Sequence, residues 1–203
     1  MTTKAVWYHK RANLDPELVS RITKELQDAI PIIYPEFAFN KYLVRGNFHD
    51  KIDQDLFKEL LPSMAVALKQ IGIYDMWHRT GLVSATSYQP VKIHRDDIEG
   101  SVNPKTIALN FPIYNCEESI TSFYEIKEGV EIIETQEREI SSGKPWTKIA
   151  DSCLEEVDSV VISEPTWLRV NKYHGVKLKM EKTTRIAASL RFRPEPLDYV
   201  DSL

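Results

Sequence analysis

His94, Asp96 and His174 are the residues of this chain whose types and spacing best suit metal chemistry. A His-x-Asp pair at the end of an extended segment aims an imidazole and a carboxylate at one point, because side chains two apart on a strand share a face. A distant second histidine completes the set. Two neutral imidazoles and one carboxylate on one octahedral face leave three positions open, the arrangement of an oxygen-activating, non-haem Fe(II) site. Asp97 competes with Asp96 for the carboxylate role; on a continuing strand its side chain points away from that of His94, which favours Asp96. The His94-Arg95-Asp96 tripeptide alone is a weak signal, and its weight comes from the residues downstream of it.

Those downstream residues lie on short extended segments. In 184–192, Ile186, Ala188, Leu190 and Phe192 alternate with Arg185, Ala187, Ser189 and Arg191, so one face is apolar and the other carries two guanidiniums and a hydroxyl. In 106–114, Ile107, Leu109, Phe111 and Ile113 alternate with a face that includes Asn110. A polar strand face usually meets solvent; here it suits the lumen of a small barrel, where buried arginines need an anion to balance them. Further strands are expected at 4–9, 82–88, 121–126, 130–135, 157–162 and 167–178. Many short strands after a helical opening predict a barrel or sandwich carrying a helical layer.

The opening supplies that layer. Asp15-Pro16 is an N-cap followed by proline at the first helical position. Leu18, Val19, Ile22, Leu26, Ala29 and Ile30 recur on one face, which predicts a helix ending before Pro31. A second helical pattern runs from Asp53 to Ile71, broken or kinked at Pro62 and stopped at Gly72. His9, His49 and His78 have no ligand-like spacing and read as surface or packing histidines.

Composition excludes several classes. A chain of 203 residues suits one domain. Its 42% hydrophobic and 28% charged residues are those of a soluble globular protein with neither a membrane span nor a leader, so the cytoplasm is the expected location. Cys116 and Cys153 have no paired spacing and are expected as free thiols. A net charge of −4 argues against a nucleic-acid coat. The charge is unevenly placed: eight Lys or Arg lie between Arg169 and Arg193, and eight Glu between Glu117 and Glu139. Either the basic segment attracts an anionic ligand or two solvated strand faces attract each other.

Taken in order, His94-Arg95-Asp96, the strand from Thr106 to Tyr114, Phe123-Tyr124, His174-Gly175-Val176, Thr183-Thr184-Arg185 and Ser189-Leu190-Arg191-Phe192 resemble the Fe(II)/2-oxoglutarate-dependent dioxygenase superfamily. The interval of eleven residues from His174 to Arg185 is the more specific part of the match. The resemblance covers roughly residues 82–194. It implies a mainly β, α+β fold: a double-stranded β-helix, or jelly-roll, at 82–194, helical support with short strands at 1–81, and a tail at 195–203. It also implies that His94, Asp96 and His174 hold Fe(II), with 2-oxoglutarate and O₂ in the open positions. Arg185 is the matched anchor for the co-substrate's distal carboxylate, with Ser189 along the same face. Arg191 stays open as an alternative, because the tight Arg-x-Ser spacing is absent and Ala187 stands where serine would be. Tyr88 and Asn110 are weaker candidates for hydrogen bonds to the co-substrate.

The implied reaction is oxidative decarboxylation to succinate and CO₂ with hydroxylation of a substrate, whose class is open between a small molecule and a protein side chain. The acidic balance disfavours a nucleobase without excluding it, and the sequence is silent on oligomeric state. Segment 127–156, with Trp146, reads either as a loop at the mouth that selects substrate or as a solvated hairpin insertion. Two readings compete with an oxygenase. One is a cupin-like module that binds a metal or sugar without oxygen chemistry, and the other an assembly protein that keeps only the fold. The arginine face of 185–191 speaks against the first and the intact ligand set against the second.

Overall fold

The computed structural model describes residues 7–33, 54–86, 91–96, 106–138, 145–180 and 183–203, without the side chains of 54, 134–138 and 145–148. The helical layer forms as its sequence dictates. The Asp15 carboxylate accepts the Leu18 N–H at 2.9 Å and starts α1 (Pro16–Ile33), whose Leu18, Ile22, Leu26, Ala29 and Ile30 are buried. The helix does not end before Pro31 as the sequence predicts; it runs on to Ile33. In the last turn a proline forfeits only one intrahelical bond, and burial of Ile30 holds that turn against the core. The second pattern divides at Pro62 into α2 (Gln54–Leu60) and α3 (Pro62–Gln70). The Glu25 carboxylate of α1 accepts the Ser63 N–H at 3.0 and 3.2 Å, which ties the start of α3 to α1.

Two antiparallel sheets follow. The first has the order β1 (His9–Arg11), β9 (Thr166–Arg169), β4 (Ile107–Tyr114), β11 (Thr184–Phe192), β2 (Trp77–Thr86). The second has the order β3 (Val91–His94), β10 (Tyr173–Leu178), β5 (Ser119–Ile126), β8 (Leu154–Val160). A separate hairpin pairs β6 (Glu134–Arg138) with β7 (Pro145–Ile149). The protein is therefore mostly β, with its helices on one face of the five-stranded sheet. There Ile186, Ala188, Leu190 and Phe192 of β11 and Ile107, Leu109 and Phe111 of β4 join the core formed by α1 and α3. Gln27 of α1 donates to the Ile113 carbonyl at 3.1 Å and fixes helix to sheet.

Several strand boundaries differ from expectation. Of the expected 4–9 strand, 4–6 lie outside the described residues, 7 and 8 are not in a strand, and pairing begins at His9, the first residue of β1. The expected 82–88 strand begins at Trp77 and is described to Thr86. The expected 130–135 strand is displaced to Glu134–Arg138, because Gly129 at φ +71° turns the chain after β5. The expected 157–162 strand is β8, which begins three residues earlier at Leu154 and ends at Val160. The run 167–178 is two strands in different sheets. It breaks where the Val170 N–H donates to the Thr106 carbonyl at 2.9 Å and the Lys172 N–H turns back to the Arg169 carbonyl. That break carries His174 to the opposite sheet.

The C-terminal segment packs against the first sheet. In the segment before α4 (Leu197–Ser202), Glu195 accepts the backbone N–H groups of Thr106 and Ile107 and the Thr106 hydroxyl; Val200 of α4 is fully buried. Such a carboxylate satisfies donors that the end of β4 would otherwise leave unmet.

Candidate metal centre

The two sheets face each other across a cavity of about 470 Å³, mouth included. His94, at the end of β3, and His174, on β10, are directly paired in register, with ring centroids 4.5 Å apart. Gly175 permits this approach: a Cβ there would lie 3.1 Å from the Val91 carbonyl oxygen. Asp96 lies just beyond β3, its N–H donating to the Val170 carbonyl at 2.8 Å. The strand thus ends at His94, and Asp96 is aimed inward by the β9–β10 turn rather than by strand alternation. Asp97 lies outside the described residues, as does Tyr88. One ligand atom from each of His94, Asp96 and His174 lies within 4.8 Å of the others.

Both imidazoles are oriented in the same way. His94 Nδ1 lies 2.8 Å from the Lys92 carbonyl oxygen, and His174 Nδ1 lies 2.9 Å from that of Lys172. In each case a carbonyl two residues back takes the Nδ1 proton and leaves the Nε2 lone pair facing the cavity, the second-sphere pattern of metal-ligating histidines. Burial, followed by the positive charge that His94 can carry, lowers the His174 pKa to about 4, so this ring is neutral at pH 7. For His94 burial opposes protonation, but the hydrogen bond and charge of Asp96 outweigh it and raise its pKa. Burial likewise opposes charge on Asp96. Arg191 and the two histidines prevail and hold the carboxyl well below its usual range.

The cation side comes from β11, and all nine of its residues are buried. Arg185, Ser189 and Arg191 line the cavity while their alternates pack against the helices. The two arginines differ. Arg191 donates through Nη2 to Asp96 Oδ2, and Asp96 Oδ1 lies 3.3 Å from His94 Nε2. Nε and Nη1 of both arginines lack a hydrogen-bond partner, but Arg185, 1% exposed, also has no ion pair with any described acid. A buried guanidinium in that state is a receptor for an anion with two acceptor atoms. Asn110 also lines the cavity with an unpartnered Oδ1. Sequence reasoning does not reach Thr121 of β5, another lining residue with an unpartnered hydroxyl; its signal is that it shares a strand face with Phe123, next to His174.

The other singled-out residues lie elsewhere. His9 pairs with Asp158 at 3.4 Å and stacks on Phe123, His78 is exposed, and His49 lies outside the described residues. Cys116 and Cys153 are free and buried. Lys177 meets Glu156 at 3.2 Å and Lys172 meets Glu125 at 3.4 Å. The basic segment thus splits, Lys172 and Lys177 pairing with acidic residues of β5 and β8 outside and Arg185 and Arg191 facing in. Among the described residues that line the cavity, none comes from 127–156.

No family model and no curated protein sequence matches the chain. Solved structures do. The epimerase SnoN, in complex with Fe3+, alpha ketoglutarate and nogalamycin RO, aligns at TM-score 0.50 and 11% identity over 91% of this chain and 77% of its own. AviO1 from Streptomyces viridochromogenes Tue57 aligns at TM-score 0.47 and 15% identity, over 91% and 89% of the two chains. HygX from Streptomyces hygroscopicus, with nickel and 2-oxoglutarate bound, aligns at 0.47 and 10%, over 91% and 81%. The SnoN alignment establishes a likeness of fold. No helix among the described residues is long and apolar enough to cross a membrane.

Proposed function

We propose that this chain is a non-haem Fe(II)- and 2-oxoglutarate-dependent oxygenase with a double-stranded β-helix core, hydroxylating a substrate with formation of succinate and CO₂. The observation that carries the reading is one cavity holding both halves of the required site. His94, Asp96 and His174 converge at one end, and the buried, unpartnered donors of Arg185 stand on the facing sheet. A plain metal-binding module has no use for the second half. SnoN, which shares the fold, carries iron and alpha ketoglutarate together.

The residues present fit the group. His94 and His174 would bind the metal through Nε2, because the Lys92 and Lys172 carbonyls hold their Nδ1 protons. Asp96 would offer Oδ1, since Arg191 occupies Oδ2; a carboxylate held so gives one oxygen and leaves coordination positions free. Arg185 would take the co-substrate's distal carboxylate, with Ser189, Asn110 and Thr121 on the walls around it. When bound, Fe(II) and 2-oxoglutarate supply oxidative decarboxylation and the oxidising power to place an oxygen atom from O₂ in a C–H bond. The protein contributes position and dryness: Val83, Val91, Leu168, Val170 and Val176 complete the lining with apolar surface.

Anaerobic addition of Fe(II) and 2-oxoglutarate tests the proposal. The expected result is a visible metal-to-ligand charge-transfer band that requires both additions and is lost in His174→Ala. Folded protein that binds Fe(II) without such a band would return the chain to the metal-binding module.

A further inference from the structure

Arg79 of β2 has no counterpart in the sites described above. It is the register partner of Arg191 on β11, and directly opposed residues of an antiparallel pair put their side chains on one face. Alternation along β2 agrees. Arg79, Gly81 and Val83 share a face, and Val83 lines the cavity. Thr80 and Leu82 take the other face, where Thr80 bonds to Trp77 Nε1 and Leu82 joins the helical core.

Two guanidiniums directly opposed repel each other. Arg191 is neutralised by Asp96, whereas half-buried Arg79 has no ion pair with any described acid. Its surroundings lead outward. The side chains of His94 and Asp96 are 23% and 17% exposed, so the centre opens beside β3, and β2 and β3 are edge strands of the two sheets. Gly81 puts no side chain between Arg79 and the cavity.

We propose that Arg79 holds the acidic group of the primary substrate, a small carboxylate or phosphate ester, outside the pocket that Arg185 closes. This rests on the oxygenase reading, which also sharpens it. Asp96 and the two carboxylates of 2-oxoglutarate supply less negative charge than a divalent metal together with Arg79, Arg185 and Arg191 supplies positive. The loaded centre therefore stays cationic at its mouth and attracts an acid.

The probe is inorganic phosphate, titrated into the full chain loaded with Mn(II) and 2-oxoglutarate, with protein in excess over the metal. Paramagnetic relaxation of the phosphorus signal reports phosphate near the centre. Manganese spin resonance and the melting temperature report loading. Saturable relaxation is expected for the native chain and for Arg79→Lys, with roughly tenfold weaker half-saturation in Arg79→Gln and unchanged loading. Equal relaxation in the native and Arg79→Gln proteins, or none in either, overturns the substrate class and leaves the oxygenase reading standing. Loss of loading in Arg79→Gln alone would assign Arg79 to the co-substrate and overturn the proposal. Failure of the native chain to load overturns both.

Discussion

The two sheets supply opposite charges to one cavity from different physical settings. β11 lies in the interior of the five-stranded sheet, with neighbours on both sides and both faces dry. The packing of Ile186 and Leu190 against the helices therefore fixes the backbone from which Arg185 projects. The histidines belong to a sheet whose other face carries solvated pairs such as Lys177–Glu156, and their orientation depends on two carbonyls and a turn. The proposed anchor is held by a core and the proposed metal ligands by local backbone. This contrast predicts that substitutions on the two sheets fail in different ways.

The largest effect belongs to Arg185. Arg185→Ala should cost about 2–5 kcal/mol of 2-oxoglutarate binding, because the distal carboxylate would be buried without its partner. Arg185→Lys should restore little, since an ammonium lacks the planar fork. The same contrast predicts a gain elsewhere: Arg185→Met should raise the melting temperature of the ligand-free protein by removing a buried charge with unmet donors. Calorimetric titration of 2-oxoglutarate into metal-loaded protein, with thermal melts, checks all three. A larger loss for Arg191→Ala would move the anchor to Arg191.

Next come the ligands. His94→Ala, Asp96→Ala and His174→Ala should each weaken metal binding by more than about 100-fold, beyond the span typical of second-sphere groups, with circular dichroism unchanged. Leu190→Ala, on the helix-facing side of β11, should do the reverse. It should cost about 2–5 kcal/mol of stability while the folded protein still binds metal. Metal loss in Leu190→Ala at temperatures where it remains folded would erase the distinction between core and ligands.

Much of this was legible because strand alternation is local. The two faces of 184–192 follow from residue type alone, and the structure turns Arg185, Ser189 and Arg191 to the cavity and Ile186 and Leu190 to the helices. What failed was non-local. The run 167–178 reads as one extended segment, and what divides it between two sheets is the pairing of its first part with β4, carried on by the Val170 N–H to the Thr106 carbonyl, about sixty residues earlier in the chain, before Lys172 turns back to Arg169. The pairing of Arg191 with Asp96, the role of Glu195 and the register that sets Arg79 opposite Arg191 are likewise properties of the assembled sheets. Asp96 was favoured from strand alternation; the structure brings it inward by a different route, through the Val170 carbonyl.

The ligand histidines also predict a pH profile for the metal-free protein. His174 has a folded pKa of about 4 against an ordinary value of 6.5, so between these values the unfolded chain binds more protons and stability falls as pH falls. The shift corresponds to up to about 3 kcal/mol at the acid end. His94 is raised, so its contribution is complete below about 6.5 and is lost as pH rises through its folded value. Asp96 stays ionised in both states above about pH 5 and adds no slope there. Denaturant midpoints should therefore peak near pH 6.5, and His174→Gln should flatten the acid limb while keeping the alkaline one. A native profile flat from pH 4.5 to 8 would mean that the histidines are solvated rather than held by the two sheets.

Arg191 gives the smallest and most discriminating test, because it belongs to the arginine sheet and acts on a ligand of the other. With Asp96 Oδ2 occupied by its guanidinium, only Oδ1 is offered inward. Arg191→Gln removes the charge and, being two bonds shorter than arginine, the Nη2 contact with Asp96 as well; it should weaken metal binding about tenfold, the low end for a second-sphere partner, and leave 2-oxoglutarate affinity within a few fold once metal is saturating. Two opposing effects set this modest size. Loss of the cation raises the basicity of Asp96 and favours the metal, while loss of the hydrogen bond frees the carboxylate to rotate or chelate through both oxygens. Charge and orientation separate in Arg191→Lys, which keeps the charge but not the planar fork. If orientation dominates, the lysine variant should bind metal as weakly as the glutamine one. If instead Arg191→Gln binds metal more tightly than the native chain, charge dominates, and the arginine sheet acts on the ligands as a distant field rather than as a clamp.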